Sequence, residues 1–237
     1  VLEPVAWVGG ETGTSIGSGP GIGTGGGIGG VGGGETIIDR GSGPGIGNLD
    51  GGIGGLDGGA IGGLGGQDMA CFLENTQILT DRGYVPIQHL CKNHMVKTLK
   101  HGYKPIHMIG KRDIVHIASK ERIKDQLYKL SSPEYPVFED LIVTGCHSLL
   151  VDDFRDNQHE KTLQINNGIY ITDNKYRLPA CADEKAVVYE KPGTYTIWHL
   201  ALENDDYYMN YGIYANGLLV ETCSKRYLKE LSKMILF

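Results

Sequence analysis

A cysteine can cleave the peptide bond that precedes it. Its sulfur lies within five-membered-ring reach of the preceding carbonyl, so attack is intramolecular, and expelling the amide nitrogen leaves a thioester. Cys71 holds such a position in "GGLGGQDMACFLENTQILT" (residues 62–80), where glycine-rich sequence becomes folded sequence within three residues. Two obstacles stand in the way. A free thiol titrates near ~8.5, so only a few per cent is thiolate at neutral pH. The amide nitrogen is also a poor leaving group until it receives a proton, a step to which a positioned general acid typically contributes roughly 100- to 10,000-fold. The residues Gly65-Gly66-Gln67-Asp68-Met69 before Ala70 give the departing segment room.

Composition divides the chain at the same border. Of 37 glycines, 29 lie in residues 1–70, together with seven acidic residues and one basic residue, Arg40. Residues 71–237 hold 21 side chains of each sign, so the net charge of −6 belongs entirely to the leader. A neutral domain behind an acidic leader offers no electrostatic case for nucleic acid or an anionic membrane as a partner. No signal peptide is visible, and no apolar run approaches a membrane span. The chain begins at Val1 rather than methionine, which points to a processed chain or a fragment whose N-terminus lies elsewhere.

The leader repeats itself loosely: "GSGPGIG" at 17–23 and 41–47, "GGIGG" at 26–30 and 51–55. It lacks the strict third-residue glycine of collagen, and no strand and helix flank its glycine runs as a phosphate loop requires. It reads as a flexible linker or low-complexity stalk. The alternative is a glycine-rich segment that orders by self-assembly, because a single copy has too much backbone entropy to lose.

From Cys71 onward the pattern becomes one of short strands punctuated by turns. "TQILT", "DRG" and "YVPIQHL" predict strand, turn and strand, and the pattern repeats around His101 and Gly102. "LYKLSS" and "DLIVTGCHSLLVD" add strands, the latter with a Thr-Gly turn. "KAVVYEKPGTYTIWHLALE" predicts a hairpin turned at Pro192 and Gly193, and Asn216-Gly217 turns another. The clearest helix is the tail "KRYLKELSKMILF", with Tyr227, Leu228, Leu231, Met234 and Ile235 on one face. The expectation is an all-β domain at 71–223, a leader at 1–70 and an amphipathic tail at 224–237. Five scattered cysteines without a CxxC pair argue against a disulfide scaffold; Cys91 and Cys181 read as buried small residues. Cys146 and His147 lack other ligands at zinc spacing, so neither metal nor cofactor is expected.

Three stretches, in order, resemble the Hint family, the self-processing module shared by inteins and hedgehog proteins. They are "CFLENTQILTDRGYVPIQHL", "LIVTGCHSLL" with its Thr-x-x-His, and "IWHLALENDDYYMNYGIYANGLLVETC". The wording of the last two also resembles Hint proteins of giant DNA viruses, which implies a virion or an infected-cell compartment as its location. The resemblance implies a flattened, pseudo-two-fold horseshoe that brings both domain ends near the Thr-x-x-His turn. It implies Cys71 as nucleophile, Ala70–Cys71 as scissile bond, Thr144 to hold and polarise the scissile amide, and His147 as general acid. It places Cys223 where both inteins and hedgehog-type domains carry a cysteine, as a second acceptor or an aid to the first step. His199 stands where inteins often place an acid–base residue, although the other histidines, and His199 by default, read as ordinary. A hedgehog-like acid is sought among Asp113, Glu121 and Asp125.

Departures from the pattern limit the reaction. Glu221 and Thr222 occupy the positions of the intein His-Asn, and threonine cannot cyclise to a succinimide, so complete splicing is not expected. Only 14 residues follow Cys223, too few for a sterol-binding region. Cleavage at Cys71 with transfer to water, a thiol or another small nucleophile is the implied activity. A catalytically silent Hint module capping a glycine-rich structural protein is the alternative.

Overall fold

The computed structural model describes residues 69–237. The repeats of the leader, and its reading as a flexible linker or, alternatively, a self-assembling segment, concern residues outside that range. Cys71 is followed at once by β1 (Phe72–Leu73). β2 (Gln77–Thr80) and β3 (Gly83–Pro86) form the first predicted hairpin, in register from Gln77↔Pro86 to Thr80↔Gly83. β4 (Met95–Lys97) pairs with the long β5 (Tyr103–His116) across the His101–Gly102 turn, as expected. β6 (Leu127–Leu130) pairs antiparallel with β7 (Leu141–Thr144), and β8 (Ser148–Val151) follows the Thr144–His147 turn.

A helix that periodicity did not announce, α1 (Gln158–Asn166), comes next, with only Thr162 buried. It carries no apolar stripe, which is the signal by which a helix is read from sequence. β9 (Ile171–Thr172), β10 (Lys175–Pro179), β11 (Val187–Val188) and β12 (Gly193–Leu202) follow. β13 (Gly212–Ala215) and β14 (Leu218–Glu221) close the Asn216-Gly217 hairpin, and both turn residues have positive φ, 48° and 92°. Two positive φ values in succession define the turn whose twist suits paired strands, and Asn-Gly is the pair that tolerates it best. β15 (Ile235–Leu236) ends the chain.

The described strands belong to one antiparallel sheet in the order β11-β6-β7-β1-β12-β5-β4-β2-β13-β14-β8-β10-β9, with β15 on β5 and β3 on β2. The expected all-β class is therefore the observed one, with a single short α-helix added. Its core gathers Phe72, Ile78, Val96, Ile109, Leu200 and Val220, all essentially without solvent contact. Each such side chain contributes roughly 1.5–3 kcal/mol by leaving water.

Two predicted elements differ. The hairpin expected at Pro192 and Gly193 does not form: β11 pairs with β6, while β12 pairs with β5 and β1. The tail is not a continuous amphipathic helix either. A π-helical turn covers Tyr227–Leu231, and the chain then extends into β15 against Lys111 and Gly110. Of the five residues assigned to one face, Leu228 is buried, while Leu231 and Ile235 are exposed. Gly110 permits this approach, since a Cβ there would stand 2.9 Å from Cβ of Met234.

Candidate active site

β1 is only two residues long, and its position between two partners fixes the site. Phe72 pairs with Val143 of β7 on one side and with Trp198 of β12 on the other. Cys71 thus lies between the Thr-x-x-His turn that ends β7 and the closing strand that carries His199.

Thr144 binds the residues around the Ala70–Cys71 bond with three hydrogen bonds. The Cys71 N–H donates to Thr144 Oγ1 at 2.8 Å, and the Thr144 N–H donates to the Cys71 carbonyl at 3.0 Å. The Thr144 hydroxyl donates in turn to the Met69 carbonyl. One hydroxyl oxygen therefore spans the Ala70–Cys71 amide from its nitrogen to the carbonyl one residue upstream. The same oxygen lies 3.9 Å from Cys146 Sγ.

The turn itself is held rigidly. Gly145 N–H donates to Gln126 O and Cys181 N–H to Gly145 O, both at 2.9 Å, while His147 N–H donates to Thr144 O at 3.0 Å and Ala180 N–H to His147 O at 2.9 Å. Glycine is required at 145 by crowding, because a Cβ there would meet the Ile123 carbonyl at 2.6 Å. Glu121 and Asp125 are exposed on the loop that packs against this glycine, with Asp125 next to Gln126. Asp113 is elsewhere. It is exposed on β5 and accepts a hydrogen bond from Thr196 Oγ1 at 2.7 Å. Strand alternation sends it to the face opposite Arg112, the neighbour that reaches the site.

Cys71 is fully buried, and so are the two histidines nearest it. The His147 ring lies 4.2 Å from the Phe72 ring and 5.3 Å from the His199 ring, centroid to centroid. Among the described residues neither histidine has a hydrogen-bond partner at either ring nitrogen. Burial holds His147 well below the ordinary histidine range, with His199 adding to the effect, and burial brings His199 down to about 3. Both imidazoles are neutral at physiological pH. Burial pushes the Cys71 thiol up and the neighbouring Cys223 pushes it further, while the Arg112 guanidinium opposes them. The same guanidinium donates to Met69 Sδ at 3.2 Å.

Cys223 is buried beside Ala201 and Leu228, and its thiol donates to the Leu200 carbonyl at 3.3 Å. Burial, then Glu221, raises its titration. At the two positions that depart from the intein pattern, Glu221 is paired with Arg177 at 3.1 Å and Thr222 Oγ1 accepts the Tyr211 N–H at 2.9 Å.

The structure thus brings Cys71, Thr144, His147, His199 and Cys223 into one neighbourhood and leaves Asp113 outside it. His199 is no ordinary satisfied histidine, unlike His116, whose Nε2 and Nδ1 engage the Tyr189 carbonyl and the Leu127 N–H. Cys91 is also corrected: it is exposed, with Sγ 3.3 Å from His94 Nε2, whereas Cys181 is buried as expected. Arg112 and the contact of Cys146 with Thr144 escaped sequence reasoning. The first is a lone cation on a strand and the second depends on the curvature of a turn. Among the described residues no three His, Cys, Asp or Glu side chains cluster as metal ligands.

A cysteine immediately before a short β-strand is thus clasped by the threonine of a Thr-x-x-His turn within a mostly β fold. Residues 70–226 match the Hint domain, and the chain belongs to that family. Among solved structures, a gp41-1 intein variant is 13% identical, with 64% of this chain and 98% of the intein covered and a TM-score of 0.38. A bacterial intein-like domain from Clostridium thermocellum is likewise 13% identical, with coverages of 65% and 99% and a TM-score of 0.37. A DnaB intein from Synechocystis is 14% identical, covering 65% and 99%, with a TM-score of 0.35. No curated protein matches the chain in sequence.

Proposed function

We propose that this domain cleaves its own Ala70–Cys71 bond in a single turnover and releases the segment that precedes Cys71. The observation that carries this reading is the Thr144 clasp on the residues flanking that bond. The clasp fixes the Ala70–Cys71 amide in one place beside the Thr-x-x-His turn, and a fixed geometry is what an intramolecular attack by the Cys71 sulfur requires. Cys71 Sγ adds to the Ala70 carbonyl carbon, and the carbon–nitrogen bond then breaks. The thiol proton is transferred to the nitrogen, which leaves an Ala70 thioester and a free Cys71 amine. Water or a small thiol attacks the thioester and restores the Cys71 thiol.

His147 is the proposed relay for that proton: one ring nitrogen takes the Cys71 thiol proton as the other gives its own to the departing nitrogen, so the imidazole is neutral before and after. A neutral imidazole still carries one N–H, and an unpartnered buried donor costs the fold stability, a cost that a catalytic role explains. Burial, with His199 adding to it, keeps that imidazole neutral, and Arg112 favours negative charge on the Cys71 sulfur. Cys223 is proposed to aid the first step rather than to receive the acyl group, since its thiol is buried and bonded to a carbonyl. With Glu221 and Thr222 both held in structural bonds, release is confined to the N-terminal side.

A second reading, a silent Hint module capping a glycine-rich structural or virion-surface protein, is favoured by one observation. Neither His147 ring nitrogen is bonded to the Cys71 amide. Neutral hydroxylamine separates the two. An active site is expected to yield a fragment ending in an Ala70 hydroxamate; an intact chain after prolonged exposure would support the silent module.

A further inference from the structure

Cys146 belongs to no part of the mechanism above, yet it is a half-buried thiol beside a site whose other two thiols, Cys71 and Cys223, are buried. Cys71 shows no solvent exposure, and Cys223, His147 and Thr144 are also buried. A thioester on Cys71 is therefore formed where water does not reach its sulfur. Cys146 sits at the edge of the same site. Its Sγ is 3.9 Å from Thr144 Oγ1, and that oxygen is 2.8 Å from the Cys71 nitrogen. The turn bearing it is pinned through Gly145 and His147 on either side, so its sulfur is presented at a fixed place. The next residue on the turn is His147, whose buried ring nitrogens are unpartnered among the described residues.

We propose that Cys146 is a catalytic relay thiol that takes the Ala70 acyl group from Cys71 and exposes it to the final acceptor. This rests on the reading that Cys71 forms a thioester. The Cys146 sulfur, as thiolate, adds to the Ala70 carbonyl carbon; the bond to Cys71 Sγ breaks, and that sulfur takes up the proton Cys146 gave up. One thioester replaces another, so the exchange is nearly neutral in free energy and needs no oxidant or co-reactant. The upstream segment is then a branch on Cys146, and Cys71 carries a free amine and a free thiol. Water adding to the branched thioester expels Cys146 as thiol and leaves the Ala70 carboxylate.

The test is acid quenching of the full chain during cleavage, followed by peptide mapping, in wild type, Cys146→Ser and Cys71→Ala. In the wild type a thioester-branched peptide joining Ala70 to Cys146 is expected. In Cys146→Ser release should slow at least about tenfold, a modest share of a general catalytic contribution, and the acyl group should accumulate on Cys71. If the acyl group maps to Cys71 alone and Cys146→Ser releases at the wild-type rate, the relay is overturned while Cys71 chemistry stands. If neither sulfur of the wild type carries an acyl group, the thioester reading and the relay fail together. The wild-type map is independent of whether the variant folds.

Discussion

Thr144 Oγ1 accepts the Cys71 amide hydrogen at 2.8 Å while its own hydrogen goes to the Met69 carbonyl. The Ala70–Cys71 bond is thus flanked on both sides by contacts to a single side chain, and both its backbone partners are buried. Replacing Thr144 with valine keeps the shape and removes the oxygen. We expect cleavage at Ala70 to fall by about 100-fold or more, by analogy with loss of one preorganised polar group at a reacting centre. We expect stability to fall by roughly 1–3 kcal/mol, because two buried backbone groups lose their partner. Paired measurements of cleavage rate and urea midpoint check both. A Thr144→Val chain that cleaves at the wild-type rate would show that the clasp is scaffold.

The two buried histidines make stability depend on pH with a definite sign. Both titrate lower in the folded state than in the unfolded chain, near ~6.5. Their neutral burial is fully stabilising above that value, and stability is lost as pH falls from there toward about 3, where His199 titrates. The slope approaches at most about 1.4 kcal/mol per pH unit for each histidine. Cys71 and Cys223 act in the opposite sense, since both thiols titrate higher in the fold. Their contribution is complete below the unfolded thiol value of ~8.5 and is lost as pH rises past it. Urea midpoints should therefore peak between those values, and His199→Phe should flatten the acid limb. An acid limb unchanged by that substitution would contradict the burial of a neutral His199.

Cleavage itself should follow the thiol. Burial raises Cys71 above the free-cysteine value of ~8.5, so the thiolate fraction keeps growing through the neutral and alkaline range. The initial rate is expected to rise with pH without levelling below ~8.5, and without an inflection near ~6.5 because His147 is already neutral there. A bell centred near neutrality would assign the limiting proton to another group.

Much of this fold was legible because its turns are local. Asn216-Gly217, His101-Gly102 and the Asp81-Arg82-Gly83 stretch each announce a reversal, and each forms a hairpin. The Pro192-Gly193 expectation failed because β11 and β12 find partners in β6 and β5, more than 50 residues away in sequence, and local pattern carries no information on such choices. The tail has helical periodicity, yet the free edge of β5 beside Gly110 offers hydrogen bonds that a lone short helix does not. In the site, Cys71, Thr144 and His147 were readable from their motifs. Arg112 was not, because a single arginine on a strand carries no motif. The state of His199 was not readable either: whether a histidine in an apolar strand is satisfied depends on what the fold places around it.

The central claim is that Cys71 forms a thioester with Ala70. The direct measurement is intact mass of the purified chain with and without dithiothreitol, beside Cys71→Ala. We predict a fragment of residues 71–237 that appears faster with the thiol and is absent from the variant. An unbroken wild-type chain under both conditions, or equal cleavage of Cys71→Ala, would contradict it.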